Sequence, residues 1–167
     1  LDVDQRLAMA GRHFGQNLAQ IVQVVMGEQL ARGSAGGDAL QGSYTALATR
    51  GQDMIGALER LGVAATTGHW EFSLGDERIG ELFGGRGRQG TARLAFLAGN
   101  VADADFDEPV FDAVRVFEKG GVKIAVVGQA FPYTPVANPR WMIPEWSFGL
   151  REKALARRVA AARAAGA

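Results

Sequence analysis

A chain of 167 residues is long enough for one domain with its own core, and 47% apolar with 22% charged residues is the balance of a globular protein, not a fibrous or disordered one. Eighteen basic residues offset eighteen acidic ones, leaving no bulk charge for nucleic acid or an anionic membrane surface. The absence of cysteine excludes disulfides, thiolate metal sites and a cysteine nucleophile, and no apolar run approaches the roughly 18 residues of a membrane span.

The chain starts at Leu1-Asp2-Val3-Asp4, neither a signal peptide nor a start methionine, so it reads as a piece of a longer protein. Leu18, Ile21, Val22, Val25 and Met26 recur at helical spacing and predict an amphipathic helix over 16–31, with His13 a loop or helix-entry residue before it. Arg32-Gly33-Ser34-Ala35-Gly36-Gly37 ends that periodicity and leads into Asp38. A carboxylate directly after two glycines can approach a ligand or metal closely, although Gly-Gly-Asp taken alone is an ordinary turn or helix cap.

Met54, Ile55, Leu58 and Leu61 predict a second helix begun near Gln52-Asp53, where an acidic residue suits the helix dipole. The apolar run Leu61-Gly62-Val63-Ala64-Ala65 then reads as a buried strand, opening into Thr66-Thr67-Gly68-His69-Trp70-Glu71-Phe72 before a new helix. Ligands of open α/β sheets sit beyond the carboxyl ends of strands, so a histidine and a carboxylate there have a functional position. The alternative is a surface histidine on a loop anchored by Trp70.

Ile79, Leu82 and Phe83 share one face of a short helix over 76–83. Gly84-Gly85-Arg86-Gly87-Arg88-Gln89-Gly90 has no strand before it and opens no helix, which favours a mobile solvated loop over a phosphate cradle. Residues 94–97 predict a short strand, and Asp103, Asp105, Asp107 and Glu108 a solvated acidic turn without the glycine and terminal glutamate of an EF-hand. Val114-Arg115-Val116-Phe117 and Val122-Lys123-Ile124-Ala125-Val126-Val127 flank a glycine turn as a hairpin, its second run apolar enough for burial on both faces. Residues 128–149 carry four prolines, which argue against a regular helix or interior strand, together with Phe131, Tyr133, Trp141, Trp146 and Phe148 as rigid contact area. Such a loop is a lid, a docking surface or a plug over its own core. A final helix over 150–165 has Leu155 and Val159 on its apolar face and Gly166 to cap it.

Three pieces in this order, Gly36-Gly37-Asp38-Ala39-Leu40-Gln41-Gly42-Ser43, Thr67-Gly68-His69-Trp70-Glu71-Phe72 and the 128–149 loop with Asn138-Pro139-Arg140-Trp141-Met142-Ile143-Pro144, resemble the Sox sulfur-oxidation thiosulfohydrolases. That group lies in the 5′-nucleotidase branch of the dinuclear metallophosphoesterases, and the resemblance runs through essentially the whole chain. It implies an α/β fold, a layered sheet sandwich with flanking helices, of which residues 1–167 would be an internal segment of one catalytic domain, incomplete at both ends. By the same resemblance Asp38 bridges two metal ions, usually manganese, and His69 stands where the broader superfamily has a metal-binding asparagine. Trp70 replaces the histidine that helps stabilise the transition state in phosphoesterases, which argues for a sulfur substrate.

The implied reaction is hydrolytic release of sulfate from a cysteine S-thiosulfonate on the Sox carrier protein, in the periplasm. Two divalent ions can acidify a bound water and polarise sulfonate oxygens, and Arg140, with Arg50 second, could pair with those oxygens. The family's Asp-x-His motif and its later histidine motifs are absent, so Asp38 and His69 are the only expected ligands in this chain, too few for a dinuclear centre. The apolar strand expected before Asp38 is also missing, since only Arg32-Gly33-Ser34-Ala35 stands there. The reading is of a segment inactive on its own. The alternatives are a 5′-nucleotidase-like phosphoesterase, a non-enzymatic α/β module docking a partner through its aromatic loop, and a pseudo-domain that retains fold but not function.

Overall fold

The computed structural model describes residues 34–35 and 38–167, so the helix expected over 16–31 and His13 lie outside the described residues. Three short parallel strands position everything that follows: β1 (Ser34–Ala35), β2 (Ala65–Thr66) and β5 (Ala95–Phe96), side by side in that order. Ser34 pairs with Ala65 and Ala35 with Thr66, and those two in turn face Ala95 and Phe96. A strand therefore does precede Asp38, contrary to the expectation from the sequence. Sheet pairing is made by main-chain N–H and C=O groups, so it does not require the apolar side chains that would announce it.

The connections pack on this sheet. Helix α1 (Tyr44–Ala48) starts at Ser43, whose hydroxyl accepts the Ala46 N–H at 2.9 Å. Helix α2 (Gln52–Arg60) buries Ile55 and Leu58 as its spacing predicts, while Leu61, expected on that face, caps the helix and is 72% exposed. The strand expected from Leu61 onward is only the two residues of β2. A 3₁₀ turn (Trp70–Leu74) and helix α3 (Asp76–Phe83) follow. Ile79 and Leu82 on α3 are fully buried, and Phe83 stacks on Phe96 with ring centroids 4.3 Å apart.

The glycine–arginine run is not a free loop. It forms the tight hairpin of β3 (Gly84–Gly85) and β4 (Arg88–Gln89), turning through Arg86 and Gly87 at φ of 50° and 79°. Successive left-handed residues match the twist of a two-residue hairpin. Strand β6 (Val101–Asp103) pairs antiparallel with β9 (Trp146–Phe148), and β7 (Val114–Lys119) with β8 (Val122–Val127) across Gly120-Gly121. The β7–β8 hairpin is as expected, but β8 is not buried on both faces: Val126 is buried while Val122 is 60% exposed.

The 128–149 segment is more regular than its prolines suggest. Pro135 sits in the first turn of the one-turn helix α4 (Thr134–Ala137), where its missing N–H costs nothing. A 3₁₀ turn (Arg140–Met142) follows, and the proline-free stretch after Pro144 is β9. Helix α5 (Glu152–Ala164) closes the chain, with Leu155 and Val159 half-buried and Gly166 left-handed at its end. Phe72 is the centre of the main core: it is fully buried and meets Phe96, Trp146 and Phe148 edge-on at 5.9, 6.0 and 4.9 Å.

Candidate functional site

Asp38 and His69 each lie three residues beyond the end of a strand, Asp38 after Ala35 and His69 after Thr66, and Ala35 and Thr66 are partners in the parallel register. The register therefore delivers the two side chains to one place at the carboxyl edge of the sheet, where open α/β sheets bind ligands. His69 Nδ1 stands 3.1 Å from Asp38 Oδ1 and 3.3 Å from Oδ2. The Trp70 N–H donates to Asp38 Oδ1 at 3.2 Å. Asp38 adopts a left-handed backbone, φ 70°, which aspartate tolerates better than most residues. Its side chain is 54% exposed and that of His69 is 21% exposed, so the pair faces outward while its backbone is held from behind.

The hold is Glu71, which is 1% exposed. Its Oε1 accepts the Ala39 N–H at 2.5 Å and the Leu40 N–H at 3.3 Å, and its Oε2 accepts the His69 N–H at 2.8 Å. Gln41 reaches the other way, its Nε2 donating to the Trp70 carbonyl at 2.5 Å and to the Ser73 hydroxyl. The carboxylate that looks like a second functional acid in the sequence is thus committed to the backbone. On the far side the His69 ring meets the edge of Phe131 at 4.3 Å, and the Phe131 N–H donates to the Gly68 carbonyl at 3.1 Å. Gly68 has to be glycine, because a Cβ would lie 2.6 Å from the Phe72 ring and 2.7 Å from the Phe96 ring.

The aromatic loop is anchored at the same edge. Thr67 Oγ1 donates to the Gln129 carbonyl at 3.0 Å, and Asn100 donates to the Ala130 and Gly149 carbonyls at 2.8 and 3.1 Å while accepting the Ala130 N–H at 2.7 Å. Both side chains are buried. The loop divides accordingly: Trp146 and Phe148 plug the core, whereas Tyr133, Val136 and Trp141 stay exposed. Arg140 is exposed on the second 3₁₀ turn, which packs against the Trp70–Leu74 turn, and its guanidinium makes no hydrogen bond or ion pair with the described residues. Arg50 is exposed, and its carbonyl receives the Arg78 Nε at 3.1 Å.

The acidic turn is a different arrangement. Asp103 Oδ1 accepts the Asp105 and Phe106 N–H groups, each at 2.9 Å, and Oδ2 receives Arg86 at 2.7 Å, which also reaches Glu108 at 3.2 Å. The Phe106 N–H above all, then the Asp105 N–H and the Arg86 charge, hold the Asp103 carboxyl below its ordinary value. Arg151 does the same to Asp107. Far from a simple solvated turn, Asp103 is 8% exposed, and a guanidinium occupies the place a cation would take. No group of three His, Asp or Glu side chains converges as a metal site among the described residues.

Among solved structures, the chain superposes on the sulfate thiohydrolase SoxB of Thermus thermophilus with a TM-score of 0.70 and 37% sequence identity, over 78% of this chain and 23% of that one. Over that aligned part the chain resembles SoxB in both sequence and fold. A 5′-nucleotidase precursor, also from Thermus thermophilus, shares the fold, with a TM-score of 0.62 and 24% identity over 78% of this chain and 25% of that one. So does a Staphylococcus aureus structure described as a 5′-nucleotidase, with a TM-score of 0.60 and 20% identity over the same shares, 78% and 25%. The chain spans about a quarter of the length of these proteins. No protein-family model and no curated protein matches it.

Of the residues that the sequence singles out, the SoxB-like fold brings Asp38 and His69 together and leaves Arg140 without a bond to either. Reading the sequence misses the tie formed by Glu71 and Gln41 and the anchors Thr67 and Asn100. The available signal is weak: a glutamate two residues after His69, and an asparagine after the Ala95–Phe96 strand.

Proposed function

We propose that this chain supplies one edge of a dinuclear metal centre in a hydrolase that releases sulfate from a cysteine S-thiosulfonate on a Sox carrier protein. The observation that carries the reading is the Asp38–His69 pair, 3.1 Å apart and open to solvent at the strand ends, in a chain 37% identical to a sulfate thiohydrolase over the aligned part. A carboxylate and an imidazole are donors suited to manganese, and two of them account for only part of the five or six that each ion takes. Asp38 and His69 would hold the metals, and the remaining donors come from residues outside the described part of this chain. Bound divalent ions supply an acidified water and polarise the sulfonate oxygens.

This chain's own residues do the rest. Asp38 and His69 orient the centre, Trp70 and Phe131 shield the imidazole, and Arg140, free of other partners among the described residues, neutralises the sulfonate. Trp70, standing where phosphoesterases of the superfamily carry a histidine, favours the sulfur substrate over a phosphomonoester. Exposed Tyr133, Val136 and Trp141 form the face that receives the carrier. The location is the periplasm. The test is sulfate release from carrier-bound S-thiosulfonate by the protein that contains this chain, with a nucleoside monophosphate as the parallel substrate. Asp38→Ala and His69→Ala are expected to abolish sulfate release. Unchanged release in both variants, or preferential phosphate release by the unaltered protein, overturns the proposal.

A further inference from the structure

We infer that Glu71 and Gln41 are positioning residues that set the spacing of Asp38 and His69 for metal, an inference that rests on the metal reading above. Each residue belongs to one ligand loop and grips the backbone of the other. Glu71, two residues beyond His69, accepts the N–H groups of Ala39 and Leu40, immediately after Asp38, and also the N–H of His69 itself. Gln41, three residues beyond Asp38, donates to the carbonyl of Trp70, immediately after His69, and to Ser73.

Three converging N–H donors can be matched only by a group that accepts at both oxygens, which a carboxylate does and a carboxamide does not. Burial then makes the match strict, since an N–H left without a partner inside the protein loses its hydration for nothing in return. The same tie holds Asp38 in its left-handed conformation, which exposed loop residues rarely keep unaided. Both Glu71 oxygens already accept backbone N–H groups, and Gln41 spends its side-chain NH2 on the Trp70 carbonyl and Ser73, so these bonds act on the backbone that carries the ligands.

Outer partners of metal ligands are worth about 10–100-fold in affinity. Manganese titration of the complete protein that contains this chain, followed by calorimetry, is therefore expected to show about tenfold weaker binding in Glu71→Gln and a smaller loss in Gln41→Ala, with the far-UV circular dichroism of the latter unchanged. Amide exchange of the unaltered chain is expected to protect Ala39, Leu40 and His69 to the same extent. Folded Glu71→Gln with unaltered affinity overturns the inference. If Glu71→Gln does not fold, Gln41→Ala decides, and unchanged affinity there overturns it. Rapid exchange of Ala39 and His69 in the unaltered chain overturns it whichever way the variants behave. A complete protein that binds no manganese, yet protects those three amides and loses that protection in Gln41→Ala, sinks the metal reading and supports the tie.

Discussion

Two corners of the molecule spend their carboxylates in opposite ways. At the acidic turn, Asp103 carries the whole load: it accepts two backbone N–H groups and pairs with Arg86, so nothing of it is left for a ligand. At the strand ends the load is divided. Glu71 takes the backbone N–H groups from a buried position, and Asp38 keeps most of its carboxylate beside His69 and open to solvent. A site in this fold is the place where a charged side chain has been released from structural duty by another that performs it. Charge density does not locate it, since the acidic turn has more carboxylates than the site.

The difference can be broken at several points. The largest effect is expected from Glu71→Ala, which leaves three N–H groups, all on the two loops behind the site, without their acceptor. At about 1–3 kcal/mol for each unsatisfied buried group, stability measured by urea unfolding should fall by several kcal/mol or folding should be lost. A loss within experimental error would mean that water replaces the carboxylate. Asp103→Asn should destabilise less than Glu71→Ala, because the asparagine oxygen still accepts from the turn and only the pairing with Arg86 is weakened. Urea unfolding of the two variants side by side checks the order.

Acid sharpens the same contrast. Asp103, Asp107 and Glu59 all have carboxyl groups held below their ordinary values, by the Phe106 N–H, by Arg151 and by the Arg93 N–H respectively. A carboxyl depressed in the folded state stabilises above its unfolded value, about 3.9 for Asp and 4.3 for Glu, and that contribution is lost as pH falls through the folded value. Stability should therefore be level above about pH 5 and decline below about pH 4. Asp103→Asn should flatten the decline, as read from urea midpoints at successively lower pH.

The site-facing changes should barely register on stability. Asp38→Ala removes one N–H acceptor at an exposed left-handed position and is expected to shift stability by about 1 kcal/mol or less while removing manganese binding. Arg140→Ala, the smallest, should leave stability within about 0.5 kcal/mol and weaken substrate handling in the complete enzyme, seen as a raised KM for the S-thiosulfonate. Unchanged kinetics would remove Arg140 from the site.

Much of this was legible from local pattern. Helix α2, helix α3 and the β7–β8 hairpin follow from spacing over a few residues, because the side-chain period of a helix or strand is a local property. Strand β1 was not, since Ser34–Ala35 pairs through its backbone with residues 31 positions away and carries no apolar mark. The 84–90 run misled for a related reason: glycine signals freedom in the unfolded chain, but two left-handed residues in sequence also make the tightest hairpin. Within the 128–149 segment, four prolines concealed β9, which lies entirely beyond the last of them.

By itself, then, the sequence determined the α/β class, the SoxB-like resemblance and the candidacy of Asp38 and His69, because these reside in residue types, local periods and short motifs. Only the tertiary structure decided that the two residues meet, and at what distance: that follows from the in-register pairing of β1 with β2 and from a buried glutamate whose three partners lie on two loops. Register and the satisfaction of buried N–H groups are properties of chain segments brought together, and no stretch of sequence contains both halves of either.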